Sequence, residues 1–164
     1  MDSEFSSPRR KLLRGGMAAA ASWLASPALA QLSSSPGSAP VRLRFFAPSG
    51  YLSDPARIET GINRLRTAGF TLDNTQALYR RHQRFAGTDA ERIADLQYVA
   101  SGRAPTPKVL LGARGGYGAM RLLPHVDWPS LGSRMREAGT LLLGYSDICA
   151  VQLALLAQGR TGSY

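Results

Sequence analysis

"LLLGYSDICAVQLALLAQG", residues 141 to 159, decides how the chain folds. Leu141, Leu142 and Leu143 form a continuous apolar run of strand length, the run breaks at Gly144, and from Asp147 onward the pattern is that of a helix running to Gln158. A buried strand, a tight turn and a helix are therefore expected in that order. The same sentence structure occurs upstream. "PKVLLGARGGYG", residues 107 to 118, is a buried strand entering a glycine loop, and "VRLRFF", residues 41 to 46, is a strand followed by a turn at Pro48-Ser49-Gly50.

Helices are expected between these strands. Ser53 or Asp54 caps a helix with Pro55 in its first turn, Ile58, Ile62 and Leu65 make its apolar stripe, and Gly69 ends it. A short strand near Phe70 to Leu72 leads into an arginine-rich connection through Arg84. Thr88-Asp89-Ala90-Glu91 then has the form of a capping box, with Ile93, Leu96 and Val99 or Ala100 on one face of the helix behind it. Further helices are expected around Met120 to Leu123, with a break at Pro124, and around Pro129 to Ala138. Alternating strands and helices predict an α/β domain with a parallel, doubly wound sheet and helices on both faces. Ligands then bind at the carboxyl ends of the strands, where Pro48-Ser49-Gly50, Arg114-Gly115-Gly116-Tyr117-Gly118 and Tyr145-Ser146-Asp147 converge.

The first thirty residues read as an export signal: basic, then apolar from Met17 to Leu29, then Ala28-Leu29-Ala30 as a small-residue cleavage site before Gln31. Arg9 and Arg10 point to the twin-arginine route, and the apolar part is too short to span a membrane. Residues 31 to 40 are Ser/Pro/Gly-rich and read as a flexible leader, so the folded domain is expected over 41 to 164. A periplasmic or secreted location follows, with the cytoplasm as the alternative. Cleavage would remove Arg9, Arg10, Lys11 and Arg14 together with Asp2 and Glu4, four cations and two anions, lowering the formal charge from +9 to +7. The remaining arginines are spread over different elements with no nucleic-acid motif, so no nucleic-acid partner is expected. Cys149 is the single cysteine, which excludes an intrachain disulfide and a cysteine metal site; its apolar surroundings predict burial.

The glycine loop does not have the spacing of a phosphate cradle. From Gly116 a dinucleotide fingerprint needs glycine at 121, which is Arg121, and from Gly112 a P-loop needs glycine at 117, which is Tyr117. His82 and His125, the only histidines, have no partner at metal-ligand spacing, and neither a metal nor another cofactor is expected. Acyl transfer suits the turn better. A strand-to-helix turn presents Ser146, the following helix offers an N–H to a developing oxyanion, and the glycine loop can offer a second; one such donor is typically worth about 3 to 4 kcal/mol in the transition state. The competing reading is that Ser146 caps the helix, which serines in this position commonly do. Ile148, where a hydrolase elbow has glycine, departs from the generic motif.

Four blocks in order, Ala47-Pro48-Ser49-Gly50, "AGTDAERIADL", "ARGGYGAMRLLPHVDW" and "LLLGYSDICAVQLAL", resemble the N-terminal half of the LD-carboxypeptidases, a serine peptidase family that includes muramoyltetrapeptide carboxypeptidase and the microcin C immunity proteins. The resemblance runs from about Val41 to Gln158. It implies a flavodoxin-like, class I glutamine amidotransferase-like sheet, and hydrolysis of an L,D amide bond that releases terminal D-alanine from murein tetrapeptide without a metal. Ser146 then matches the nucleophile, Asp147 N–H with Gly115 and Gly116 the oxyanion hole, and Arg114, Tyr117 and Ser49 the substrate cleft. Thr88, Asp89, Glu91 and Arg92 read as helix capping and scaffold.

In the family a second, C-terminal domain supplies a glutamate and a histidine that complete the triad, and this sequence shows no counterpart of it. The chain is therefore expected to be a truncated or split member, inactive alone, with the surface the second domain would cover left open to self-association as a homodimer. Two alternatives accompany this reading: a non-catalytic domain that binds peptidoglycan fragments, and a microcin-immunity-type hydrolase of aminoacyl nucleotide conjugates.

Overall fold

The computed structural model describes residues 40 to 159. The signal peptide and nearly all of the leader expected from the sequence lie outside these residues, as do residues 160 to 164. Four strands make one sheet: β1 (Val41–Phe46), β2 (Phe70–Asp73), β3 (Val109–Gly112) and β4 (Leu141–Leu143). Their order is β2-β1-β3-β4 and every pairing is parallel, with Leu43 opposite Leu72 on one side and Val109 on the other, and Val109 opposite Leu141.

Three helices connect them, α1 (Pro55–Thr67), α2 (Asp89–Ala100) and α3 (Trp128–Ala138), and a fourth, α4 (Ile148–Gln158), follows β4. Their starts follow from local chemistry. Asp54 accepts from the N–H groups of Ala56 and Arg57 with Pro55 in the first turn, and Thr88 and Glu91 form the reciprocal capping box at α2. Asp127 caps α3 through Ser130 N–H, and Gly139 ends that helix in the left-handed region at φ 63°. Right-handed crossovers require the chain to reverse direction after β2, so α1 lies on one face of the sheet and the other helices on the opposite face. Pleating sorts the core accordingly. Leu43, Phe45 and Val109 pack with Ile58, Ile62 and Phe70, whereas Phe46, Leu110 and Leu142 pack with Leu96, Val99, Leu131, Met135, Val151 and Leu155. Each such buried side chain contributes about 1.5 to 3 kcal/mol relative to exposure.

Three expectations change. The stretch around Met120 is not one short helix but two 3-10 turns, Ala119–Arg121 and Leu123–His125; Pro124 sits inside the second, where the closing bond, His125 N–H to Leu122 O, does not need a proline N–H. The arginine-rich connection contains a 3-10 turn of its own at Thr75–Leu78. Cys149 is exposed, not buried. The helix it belongs to has apolar residues all round, with Leu153 and Leu156 more than half exposed, so its pattern does not mark which face is inside.

Candidate functional site

Reversal of the strand order places a crevice outside the carboxyl ends of β1 and β3, because the loops leaving those neighbours run to opposite faces. The loop after β1 is stitched on both sides. Gly50 N–H donates to Gly115 O of the glycine loop, while Tyr51 N–H donates to Arg84 O and Ala86 N–H to Ser49 O. Beneath them Arg92, 1% exposed, donates to Pro48 O and Gly118 O and pairs with Asp89 while lying over the Phe85 ring. That guanidinium joins α2 to both loops, the scaffold role its position in the chain suggested.

Ser146 occupies the turn between β4 and α4 with φ 61°, one of three non-glycine residues with positive φ among the described residues. For an L-residue this backbone is strained by about 1 to 2 kcal/mol, and a strained turn of this kind lifts a side chain above the sheet. Ser146 is exposed, and no described residue hydrogen-bonds its hydroxyl. It is not the helix cap either: Asp147 holds that position, without a side-chain capping bond. The close approach of helix to strand is made possible by glycine on the strand side. Ile148 fills the space over Gly112 and Gly144, where a Cβ would lie 2.9 and 2.4 Å from its side-chain atoms. The missing glycine of the generic elbow is thus compensated two strands wide.

The glycine loop lies directly against this turn. A Cβ at Gly115 would stand 2.7 Å from Ser146 Cβ and 2.9 Å from its Oγ, so only glycine fits there. Gly116, with φ 111°, continues the loop over Gly50. The amides of Gly116 and Asp147 find no acceptor among the described residues and remain available to an oxyanion at the helix N-terminus. Tyr117 and Tyr145, 71% and 76% exposed, stand at the crevice, with the Arg84 guanidinium 5.4 Å from the Tyr117 ring centroid. Arg114 is exposed and donates from Nη1 to Tyr51 O at 2.7 Å, which orients its fork without using all of its donors.

Ser49 requires a correction. It is fully buried, and its hydroxyl donates to Asp147 Oδ2 at 2.6 Å, so it braces the site from inside and has no hydroxyl to offer a substrate. Asp147 Oδ2 also accepts from Ala119 N–H at 2.9 Å. One carboxylate therefore ties the β1 loop and the end of the glycine loop to the turn that carries Ser146. Sequence reasoning assigned Asp147 only its backbone N–H; an acid at a helix start reads as a cap, and the signal that it is something else is three-dimensional. His82 and His125 are both exposed, and neither hydrogen-bonds Ser146; His82 is bridged instead to Phe85.

This arrangement presents a hydroxyl beside free amide donors, which is half of an acyl-transfer site; the other half is a base. The profile of the LD-carboxypeptidase N-terminal domain matches residues 43–164. A Streptomyces coelicolor protein that carries the name of a carboxypeptidase is 40% identical over 119 residues, 69% of this chain and 36% of its own length. A Bacillus subtilis protein named "Probable murein peptide carboxypeptidase" is 32% identical over 102 residues, 62% of this chain and 30% of its own. Among solved structures, the microcin C7 self-immunity protein MccF superposes with a TM-score of 0.64 at 22% identity, over 77% of this chain and 37% of that one. The chain spans between 30% and 37% of the length of these relatives. At that identity the structural likeness speaks for the fold.

Proposed function

The chain belongs to the LD-carboxypeptidase family, and from that premise we propose that its site is the nucleophile half of a serine-type LD-carboxypeptidase acting on murein tetrapeptide. The carrying observation is Ser146 in a left-handed turn with Gly115 packed against its side chain. Ser146 Oγ attacks the carbonyl carbon of the L,D amide. The charge that develops on the carbonyl oxygen faces the N–H of Asp147 and those of the Gly115-Gly116 loop. The hydroxyl proton passes through a base to the leaving amine, D-alanine departs, and water releases the acyl group. Arg114, held by Tyr51 O, directs its remaining donors to the terminal carboxylate of the peptide, a match for its planar fork, and Tyr117 flanks the chain of the substrate.

No described residue can serve as the base at hydrogen-bonding distance, and the base is accordingly assigned to the portion of family length that these 164 residues do not span. The murein substrate is supported by the name of the Bacillus subtilis relative. Export by the twin-arginine route to the periplasm is proposed from residues 1 to 30.

The test compares two proteins: residues 31 to 164 alone, and the same residues joined to the C-terminal portion of the Streptomyces coelicolor relative. D-alanine release from murein tetrapeptide is expected only from the second, together with covalent labelling of Ser146 by a fluorophosphonate. Peptide binding by the joined protein without release or labelling would move the assignment to a non-catalytic binding domain.

A further inference from the structure

A second cavity, of about 600 Å³, opens beside α2 and shares no lining residue with the Ser146 turn. Arg44 forms its inner wall. It sits in β1 on the face that carries Phe46, 8% exposed, a position where a strand normally presents an apolar side chain. Its Nε donates to Asp95 O at 3.2 Å, but its two terminal nitrogens have no acceptor among the described residues. Neighbouring charges do not supply one. Four guanidinia, those of Arg42, Arg44, Arg80 and Arg103, line the cavity against the three carboxylates of Asp73, Glu91 and Asp95. Arg42 takes both oxygens of Asp73 at 2.9 and 2.8 Å, Arg80 takes Asp95 Oδ2 at 2.6 Å, Glu91 is engaged by Thr88, and Arg103 lies exposed over the Tyr98 ring, so Arg44 is the buried guanidinium with no carboxylate of its own. Burial pulls its pKa below the ordinary arginine value, a sign that its charge is poorly solvated.

Buried charges are normally paired, and a guanidinium with two free terminal nitrogens fits an oxyanion bidentately. We propose that this cavity binds a small molecule through a carboxylate seated on Arg44. Carboxylate is preferred to phosphate because Asp73, Glu91 and Asp95 face the same space and oppose a second negative charge, whereas one negative charge matches the excess of one that four guanidinia hold over three carboxylates. Asn74 and Tyr98 line the rest of the cavity and can recognise the remainder of the ligand.

The probe is sodium propionate, titrated into the full 164-residue chain against sodium chloride at equal ionic strength and followed by NMR of amide and arginine side-chain N–H groups. Saturable shifts centred on Arg44 and Asn74 are expected with propionate and not with chloride. Arg44→Gln should weaken binding about tenfold, the scale of one charge-assisted contact. Asp73→Asn acts in the opposite sense: it removes an opposing charge and should tighten binding, which decides the matter even where Arg44→Gln does not fold. Ser146→Ala should leave the titration unchanged. Equal response to chloride, tighter binding of inorganic phosphate than of propionate, or unchanged or weaker binding by Asp73→Asn overturns the proposal.

Discussion

The Ser49 hydroxyl meets Asp147 Oδ2 at 2.6 Å across 98 positions of sequence, and the same oxygen receives Ala119 N–H at 2.9 Å. The turn carrying Ser146 is therefore held in place by loops from two other strands, not by its own helix. Ser49→Ala removes one of the two donors and leaves a partly satisfied carboxylate over a buried site. A loss of about 1 to 2 kcal/mol is expected, measured by denaturant unfolding. Ser49→Thr keeps the hydroxyl but adds a methyl where the residue is already fully buried, and should not restore the whole loss.

Gly115 and Gly61 make opposite predictions from the same substitution. At 115 an added Cβ meets Ser146 Cβ at 2.7 Å and must displace the turn or the loop. Gly115→Ala should cost about 1 to 3 kcal/mol of stability. It should also cut acylation of Ser146 in the joined protein by about a hundredfold, since misplacing a reacting group by an ångström has that effect. At 61, inside α1, a Cβ meets nothing within 4 Å. Gly61→Ala should raise stability by about 0.5 to 1 kcal/mol and leave labelling unchanged. Equal effects at the two sites would show that the loop does not touch the serine.

Acid should weaken the fold through the start of α2. Hydrogen bonds from Thr88, backbone first and then hydroxyl, hold the Glu91 carboxyl below its ordinary 4.5, and the Arg92 guanidinium holds Asp89 below its ordinary 3.8. Both folded values are depressed, so this stability is fully present above the unfolded values and disappears as pH falls through the folded ones. Thermal melts should be nearly flat down to about pH 5 and decline below it. Thr88→Ala should lower the plateau by about 1 kcal/mol and make the decline shallower, because Glu91 loses the hydroxyl bond and keeps only that from the backbone N–H, which brings its folded value closer to the unfolded one. A decline just as steep in Thr88→Ala would show that the threonine hydroxyl has no part in the acid sensitivity, which would then rest on the backbone bond to Glu91 or on other carboxylates.

What the sequence discloses and what it hides divide along one physical line. Interactions within a turn or two of chain are legible: Asp54 with Pro55, Thr88 with Glu91, the Ile58, Ile62 and Leu65 stripe, and the order of strands and helices that gathers three loops at one edge. Interactions across the chain are not. Arg44 looks like one more dispersed arginine in the sequence and is buried, because Asp95 arrives from elsewhere to accept from it; Arg92 reads as scaffold, but the Pro48 and Gly118 carbonyls it donates to lie 44 and 26 positions away and are not legible in its neighbourhood. Ser49 looks like a polar loop residue facing a ligand, and its true partner is 98 residues away. Cys149 was hidden for a different reason, since a helix apolar on every side has no period to read.

Ser146 itself yields the sharpest prediction, because its backbone and its side chain make opposite demands. With φ at 61° the residue pays a steric penalty that glycine does not, so a residue retained there for stability alone would be glycine. Ser146→Gly should stabilise the chain by about 1 kcal/mol while abolishing acylation, whereas Ser146→Ala abolishes acylation and keeps the strain. The difference between the two variants isolates the backbone, since both lack the hydroxyl. Were the serine a helix cap, its hydroxyl would hold a backbone N–H and both substitutions would destabilise, glycine by a few tenths of a kcal/mol and alanine by about 1. Unfolding curves of the two variants against the parent chain therefore decide between a strained nucleophile turn and an ordinary cap, and do so without any need for the base that completes the reaction.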